Sequence, residues 1–223
     1  MPKLLWPASL AVYVALSGCA GAQPAPYSDI ASSSQLRPNP RDRSGRVPYS
    51  YAVPIDWRRY HRVIIEPVAI YRGSDSQFEK ISEDDKRRLA DYMRTQFTDR
   101  LSGVFEVTDR PAPDTIRVKI TLTGAKTTAA VLGTLSRFDL VGGPYNAVQA
   151  VRGKEGAMTG SVMYAVEIED AATNRLLSAY VTKQYPSPMN IKASVGAMAA
   201  SMAGVRKGAD ELAETLSRNR PQP

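Results

Sequence analysis

Apolar residues occupy every second position from Thr115 to Thr123, and charged or hydroxyl residues lie between them. A period of two with one polar face predicts a half-solvated antiparallel strand. Apolar side chains also share one face over residues 162–168 and again over 177–181, on either side of the turn-forming residues 170–174. These two runs predict a hairpin of antiparallel strands.

Two more strands are predicted nearer the amino terminus. The β-rich run from Tyr60 to Tyr71 predicts one of them, and Pro67 marks a bulge or an edge in it because proline has no N–H to donate. Phe105 and Val107 predict a second, shorter strand.

Two segments show the spacing of amphipathic helices. The closing segment repeats apolar residues at three-then-four spacing from Val195 to Leu216. The earlier one has a capping sequence at Ser82 and a terminating Gly103, with an apolar residue at every fourth position between them: Leu89, Met93, Phe97 and Leu101. The order of elements predicts an α+β fold, with a mainly antiparallel sheet of about five strands and two helices packed on one face.

Small residues form a row along the closing helix, four positions apart: Gly196, Ala200, Gly204 and Gly208. Each interior glycine costs ~1 kcal/mol of helix stability relative to alanine, so this row needs a reason. Four-residue spacing makes a slanted ridge along which another backbone can approach closely. The approaching backbone belongs either to the protein's own sheet or to a second copy of the chain, and the second alternative makes the protein a homo-oligomer.

The amino terminus has the pattern of a secretory signal peptide that ends in a lipidation site. Lys3 precedes an apolar run from Leu4 to Leu16, which is too short to span a bilayer because a span needs ~20 apolar residues. Leu16-Ser17-Gly18-Cys19 resembles the bacterial lipobox, in which the cysteine thiol receives a diacylglyceryl group. The resemblance implies a signal peptide over residues 1–18 and a lipid anchor on Cys19. Because Ala20 follows instead of aspartate, it also implies an outer-membrane location that faces the periplasm.

Proline, serine and arginine dominate residues 19–50, which predicts a flexible tether ahead of a single domain over residues 51–219. Cys19 is the only cysteine, so an internal disulfide is excluded and a hydrophobic core must stabilise the domain. The net charge of +7 would suggest nucleic acid as a partner in the cytoplasm, but a periplasmic location makes that partner unexpected. The arginines of the tether either contact anionic lipid or form a solvated linker.

Residues 126–155 form an insertion between two strands that a short turn would otherwise join. Hairpin loops typically have ~2–5 residues, and much longer ones are usually functional or disordered. The insertion either covers the sheet or acts as a flap that docks a protein partner or touches lipid. Its candidate partner-binding residues are apolar or aromatic: Leu132, Leu135, Phe138, Leu140 and Tyr145.

Catalytic residues, metal ligands and cofactor motifs are not found in the sequence. His61 is the only histidine and lies among arginines, so we expect a surface or strand-end position for it and no metal site. Glu167 and Glu169 share a strand face near a turn, and we interpret them as an exposed acidic face and not as a glycosidase pair. Nucleophile motifs and phosphate-binding loops are absent from the sequence. An enzyme is therefore not expected.

Several motifs together resemble the DUF3313 family of bacterial lipoproteins. They are the residues from Tyr51 to Tyr60, the run Ile65-Glu66-Pro67-Val68, the helical Leu89-Ala90-Asp91-Tyr92, the strand Ile116–Leu122 and the hairpin Val166–Leu177. The resemblance covers almost the whole mature chain. Thr173-Asn174 stands where the family commonly has Thr-Gly, a change that asparagine tolerates in a turn. Because these motifs are structural, the resemblance implies fold and location and leaves the chemistry open.

These expectations predict a non-enzymatic outer-membrane lipoprotein that binds or helps to assemble an envelope component, with a periplasmic protein as its partner. The order of elements also resembles, more distantly, the curli-secretion lipoprotein and the lipoprotein that activates penicillin-binding proteins, and neither is an enzyme. The alternative is a periplasmic carrier, in which the apolar insertion covers a pocket for a hydrophobic ligand.

Overall fold

The structure is a computed structural model that describes residues 22–127, 160–186 and 198–219. Within these ranges the chain forms nine strands in one sheet and two α-helices. In chain order, the elements are β1 (Arg37–Pro38), β2 (Tyr49–Ala52), β3 (Arg62–Ile65), β4 (Ala69–Ile70), β5 (Gln77–Glu79), α1 (Glu83–Leu101), β6 (Glu106–Val107), β7 (Thr115–Lys126), β8 (Ser161–Asp170), β9 (Leu176–Gln184) and α2 (Ala199–Arg218).

The sheet is mixed. Its main path is β1-β2-β9-β8-β7-β3-β6, and β4 and β5 also pair with β7. Along the part of the path that runs β1-β2-β9-β8-β7, each strand is antiparallel to its neighbour. In contrast, β3, β4 and β5 run parallel to β7, and β6 runs parallel to β3. The α+β fold is confirmed, but the expectation of a mainly antiparallel sheet of about five strands is wrong. The connection through α1 explains the difference, because a helix that crosses back over a sheet lets the next strand run parallel to the previous one.

The long elements lie where their apolar periodicity predicts them. β8 and β9 form the predicted hairpin, and Asn174 in its turn has a φ of 56°, a left-handed conformation that asparagine tolerates. Ser82 caps α1, since its hydroxyl accepts a hydrogen bond from the N–H of Asp85 at 3.1 Å. The predicted first strand is divided near Pro67 into β3 and β4, as proline in a strand requires.

Both helices pack on the same face of the sheet, as predicted, and they contact each other. None of the helices among the described residues has the length and apolar character needed to cross a membrane. The core on this face combines apolar residues of α1, α2, β7 and β8, among them Leu89, Met93, Phe97, Ile120, Leu122, Val162, Val166, Val205, Leu212 and Leu216.

Residues 22–36 cross the other face of the sheet, and we call this segment the N-terminal strap. Tyr27, Ile30 and Leu36 of the strap are only 1%, 6% and 5% exposed, and they pack against apolar residues of β8 and β9. This part of the predicted flexible tether is therefore packed on the sheet, and β1 and β2 add strands ahead of the predicted domain boundary at residue 51. Composition alone does not predict the strap, because its few large apolar side chains are spread among prolines and serines.

Candidate functional site

Most of the predicted site residues lie outside the described residues. This holds for the lipidation site Cys19, for Gly196 at the start of the small-residue row, and for the partner-binding candidates Leu132, Leu135, Phe138, Leu140 and Tyr145. The lipid anchor and the partner-binding role of the insertion therefore stay predictions.

The rest of the small-residue row faces the protein's own sheet. Ala200, Gly204 and Gly208 lie on the buried face of α2. A Cβ atom at Gly204 would be 2.8 Å from the carbonyl oxygen of Gln184 and 3.0 Å from Cγ1 of Val162. In the described part of the row, small residues thus let α2 approach β8 and β9 closely. Pairing of two copies of the chain stays a prediction.

A groove lies between α2 and the flank of the sheet formed by β9 and β2. It exists because two helices do not cover a sheet of this width: α1 contacts β3 and β4, whereas α2 contacts β8 and β9. The cavity has a volume of about 260 Å³. We call it the α2 groove and define it by its lining residues: Val47, Ser50, Tyr51, Ala52, Tyr164, Ser178, Ala179, Tyr180, Thr182, Gln184, Gly208, Glu211, Leu212 and Thr215.

Two buried polar atoms of this lining have no hydrogen-bond partner among the described residues. They are the hydroxyl oxygen of Tyr164 and Oε1 of Gln184, whose residues are 0% and 2% exposed. Burial raises the pKa of Tyr164, so the phenol stays neutral and can either donate or accept a hydrogen bond. An unmade hydrogen bond at a buried group costs about 1–3 kcal/mol. A ligand that supplied the missing partners would recover part of that free energy.

Glu211 contributes the single carboxylate of the lining, and neighbouring groups compensate its charge. Its Oε2 accepts a hydrogen bond from Nε2 of Gln184 at 2.6 Å. Its Oε1 is 3.4 Å from Nη1 of Arg46 and 3.8 Å from Nζ of Lys207. Tyr180 completes this side of the groove, and burial raises its pKa, so it is neutral as well. The α2 groove therefore suits a neutral and mostly apolar molecule.

The lining carries hydroxyl, amide and carboxylate side chains. Among the described residues that line it there is no histidine, cysteine or lysine. In the parts of the chain that the structure describes, no cluster of histidine, cysteine, aspartate and glutamate could hold a metal ion. His61 is exposed directly before β3, at the strand-end position predicted for it.

Of the residues that line the α2 groove, only Gly208 is also a site residue predicted from the sequence. The strand pattern of β9 draws attention to Ala179 and Val181, which face the N-terminal strap. The opposite side chains of β9 face the helices and line the groove: Ser178, Tyr180, Thr182 and Gln184. The one feature of the sequence that relates to the groove is this row of hydroxyl and amide side chains next to Tyr164. A polar row of this kind usually indicates a solvent-facing side of a strand, so it does not by itself predict a groove.

Glu167 and Glu169 are not an exposed acidic face, so that interpretation is wrong. They are only 6% and 7% exposed. Oε1 of Glu167 accepts a hydrogen bond from the backbone N–H of Ser32 at 2.7 Å, and Oε1 of Glu169 lies 2.7 Å from Nζ of Lys119. Both faces of β8 are consequently buried, one by the helices and the other by the strap.

Glu167→Ala is expected to loosen the N-terminal strap while the helix face stays folded. The substitution removes the acceptor of the buried Ser32 N–H, which costs about 1–3 kcal/mol. Hydrogen exchange measured by mass spectrometry should become faster over residues 22–36 and stay unchanged over α1. Glu106→Ala on the exposed edge strand β6 is the control and should change neither region. Unchanged exchange of the strap in Glu167→Ala would show that this contact does not hold it.

A family model described as a protein of unknown function, DUF3313, matches residues 26–212. No curated protein matches the chain. Among solved structures, the PelC dodecamer from Paraburkholderia phytofirmans is 9% identical, with a TM-score of 0.38 over 78% of this chain and 96% of that one. Protein XCC0632 from Xanthomonas campestris is 10% identical, with a TM-score of 0.35 over 70% and 84%. At TM-scores this low, the likeness does not carry function from those proteins to this one.

Proposed function

The chain belongs to the DUF3313 family of proteins of unknown function, and from that premise we propose that it is a non-enzymatic binding protein anchored to the outer membrane. In this proposal, lipid on Cys19 holds the domain on the periplasmic side of the membrane. The domain binds a small, mostly apolar ligand in the α2 groove. The carrier alternative predicted from the sequence also has a hydrophobic ligand, but it places the pocket under the insertion. The other alternative, capture of an envelope protein by residues of the insertion, stays a prediction because those residues lie outside the described ranges.

The observation that supports ligand binding is the pair of unpartnered polar atoms beside an apolar cavity. Ligand sites are concave and mostly apolar, with a few polar groups that fix the orientation of the ligand. Oε1 of Gln184 can only accept a hydrogen bond, so a ligand that fits must carry an N–H or O–H donor. The hydroxyl of Tyr164 accepts or donates, so it tolerates either kind of group. A neutral apolar body with one such donor matches the groove.

Filling the α2 groove is expected to weaken ligand binding without unfolding the protein. Ala52 lines the groove and is exposed on β2, so Ala52→Trp adds an indole in the cavity at a position where aromatic residues suit a strand. The probe is N-phenylnaphthylamine, an apolar fluorophore with one N–H donor. Fluorescence titration should show a Kd that is at least about tenfold weaker for Ala52→Trp, which corresponds to about 1.4 kcal/mol.

Ala69→Trp is the matched control, because Ala69 is also an exposed alanine on a strand but lies outside the groove. It should bind the probe as the wild type does. Equal binding by Ala52→Trp, or no binding by the wild type, would contradict the proposed ligand site. Organic extraction of the protein purified from membranes, followed by mass spectrometry, then identifies the natural ligand.

A further inference from the structure

The N-terminal strap is held at its first described residue by a buried lysine. Nζ of Lys183 donates a hydrogen bond to the carbonyl oxygen of Ala22 at 3.0 Å, and Lys183 is only 2% exposed. The carbonyl oxygen of Gln23 accepts a second hydrogen bond from Nε2 of Gln77 at 2.8 Å. The start of the strap is therefore attached to two strands of the sheet, β9 and β5.

These contacts lie near one end of the sheet. Lys183 pairs with Met163, Met163 with Gly124, and Gly124 with Gln77, so the four residues form one row across the sheet. This row is close to the ends of β5, β7 and β9 and the start of β8. The opposite end carries the hairpin turn after Asp170. At ~3.3 Å per residue along β8, Asp170 is about 23 Å from the row.

The position of Ala22 limits where Cys19 can lie. Three residues of fully extended chain span at most about 11 Å, so Cys19 cannot reach the hairpin turn. A free tether of the length predicted from composition would have let the domain turn in any direction relative to its anchor. The strap removes that freedom because the chain is attached from Ala22 onward.

We infer that one end of the sheet faces the phospholipid surface, and we call it the anchored end: residues 79–80, 126–127 and 160–161. This inference rests on the proposed lipidation of Cys19. Lys80 is exposed at the anchored end, and Lys126 at the same end forms an ion pair of 3.8 Å with the carboxylate of Glu79. Ammonium groups at this position suit the phosphates of lipid head groups. The hairpin turn then points away from the membrane.

The test uses fluorescent labels on the full-length, lipidated protein in vesicles. Cys19 is the only cysteine and lipidation consumes its thiol, so one engineered cysteine can be labelled alone. Lys80→Cys and Thr127→Cys report on the anchored end. Ala172→Cys is the control in the hairpin turn, where the side chain is exposed. The vesicles contain phosphatidylethanolamine and phosphatidylglycerol, with a nitroxide quencher on a fraction of the head groups.

The label is expected to lose most of its fluorescence at Lys80→Cys and Thr127→Cys and to lose little at Ala172→Cys. Equal quenching at both ends, or the strongest quenching at Ala172→Cys, would overturn the inferred orientation while leaving the lipid anchor intact. Flotation of the vesicles separates the two failures. A protein that does not float with them lacks the proposed anchor, and the inferred orientation then fails together with it.

Discussion

Gly208→Ala is expected to destabilise the domain by about 2 kcal/mol, although alanine is the better helix former. A Cβ atom at this position would overlap the hydroxyl oxygen of Tyr164 and would lie 3.0 Å from Cζ of the same ring. Tyr164 is fully buried under α2, so its ring must shift to admit the new methyl group. Overpacking of this kind exceeds the helix-propensity gain of ~1 kcal/mol. Thermal unfolding followed by circular dichroism measures the loss.

Tyr164→Phe provides the second arm of a double-mutant cycle. It removes the atom that the new Cβ would meet, and that hydroxyl makes no hydrogen bond with any of the described residues. Tyr164→Phe alone should thus keep or raise stability, and it should restore much of what Gly208→Ala loses. Gly103→Ala is a matched control, because its Cβ would be at an ordinary 3.5 Å from the nearest atom. A double variant no more stable than Gly208→Ala would place the cause outside this contact.

Elements with a strong local signal could be predicted from the sequence. α1 has nineteen residues, with a serine cap directly before it, acidic residues in its first turn and an apolar residue at every fourth position. β7 has twelve residues of nearly regular alternation, and the turn after β8 has an asparagine where a left-handed conformation is needed. Each of these signals is contained in the element itself, so no knowledge of neighbouring elements is required.

The parallel part of the sheet could not be predicted in this way. β4 and β6 have two residues each and β5 has three, too few to show any period. Their pairing with β7 or β3 depends on where α1 returns the chain, which is a property of the tertiary structure. A run that looks like one strand interrupted by Pro67 thus becomes two strands beside the same neighbour.

The burial of certain polar residues also could not be predicted from the sequence. Glu167 alternates with apolar residues, a pattern that normally indicates a solvent-facing side, and Lys183 lies among the polar residues Thr182 and Gln184 at the end of β9. Both are buried because the strap provides their partners, Ser32 and Ala22, from more than a hundred residues away along the chain. The α2 groove is a related case, since it depends on which part of the sheet the helices leave uncovered.

Cys19→Ala is expected to remove the protein from the outer-membrane fraction. The thioether to the diacylglyceryl group requires a nucleophilic sulfur, and no other residue of the chain has a thiol. Each buried methylene contributes ~0.8 kcal/mol to anchoring, so several acyl chains make detachment negligible and their absence releases the domain. The variant should then appear as uncleaved precursor or in the soluble periplasm. Membrane fractionation followed by immunoblotting distinguishes these locations.

Ala20→Ser is the matched control for this experiment, because it changes the adjacent residue and keeps the thiol. It should fractionate with the outer membrane as the wild type does. A Cys19→Ala protein that still fractionates in this way has another attachment, such as a tightly bound envelope protein. That result would reject lipid on Cys19 as the anchor. Crosslinking from residues of the insertion would then be the way to find the attachment, because its apolar side chains are the other predicted contact with the envelope.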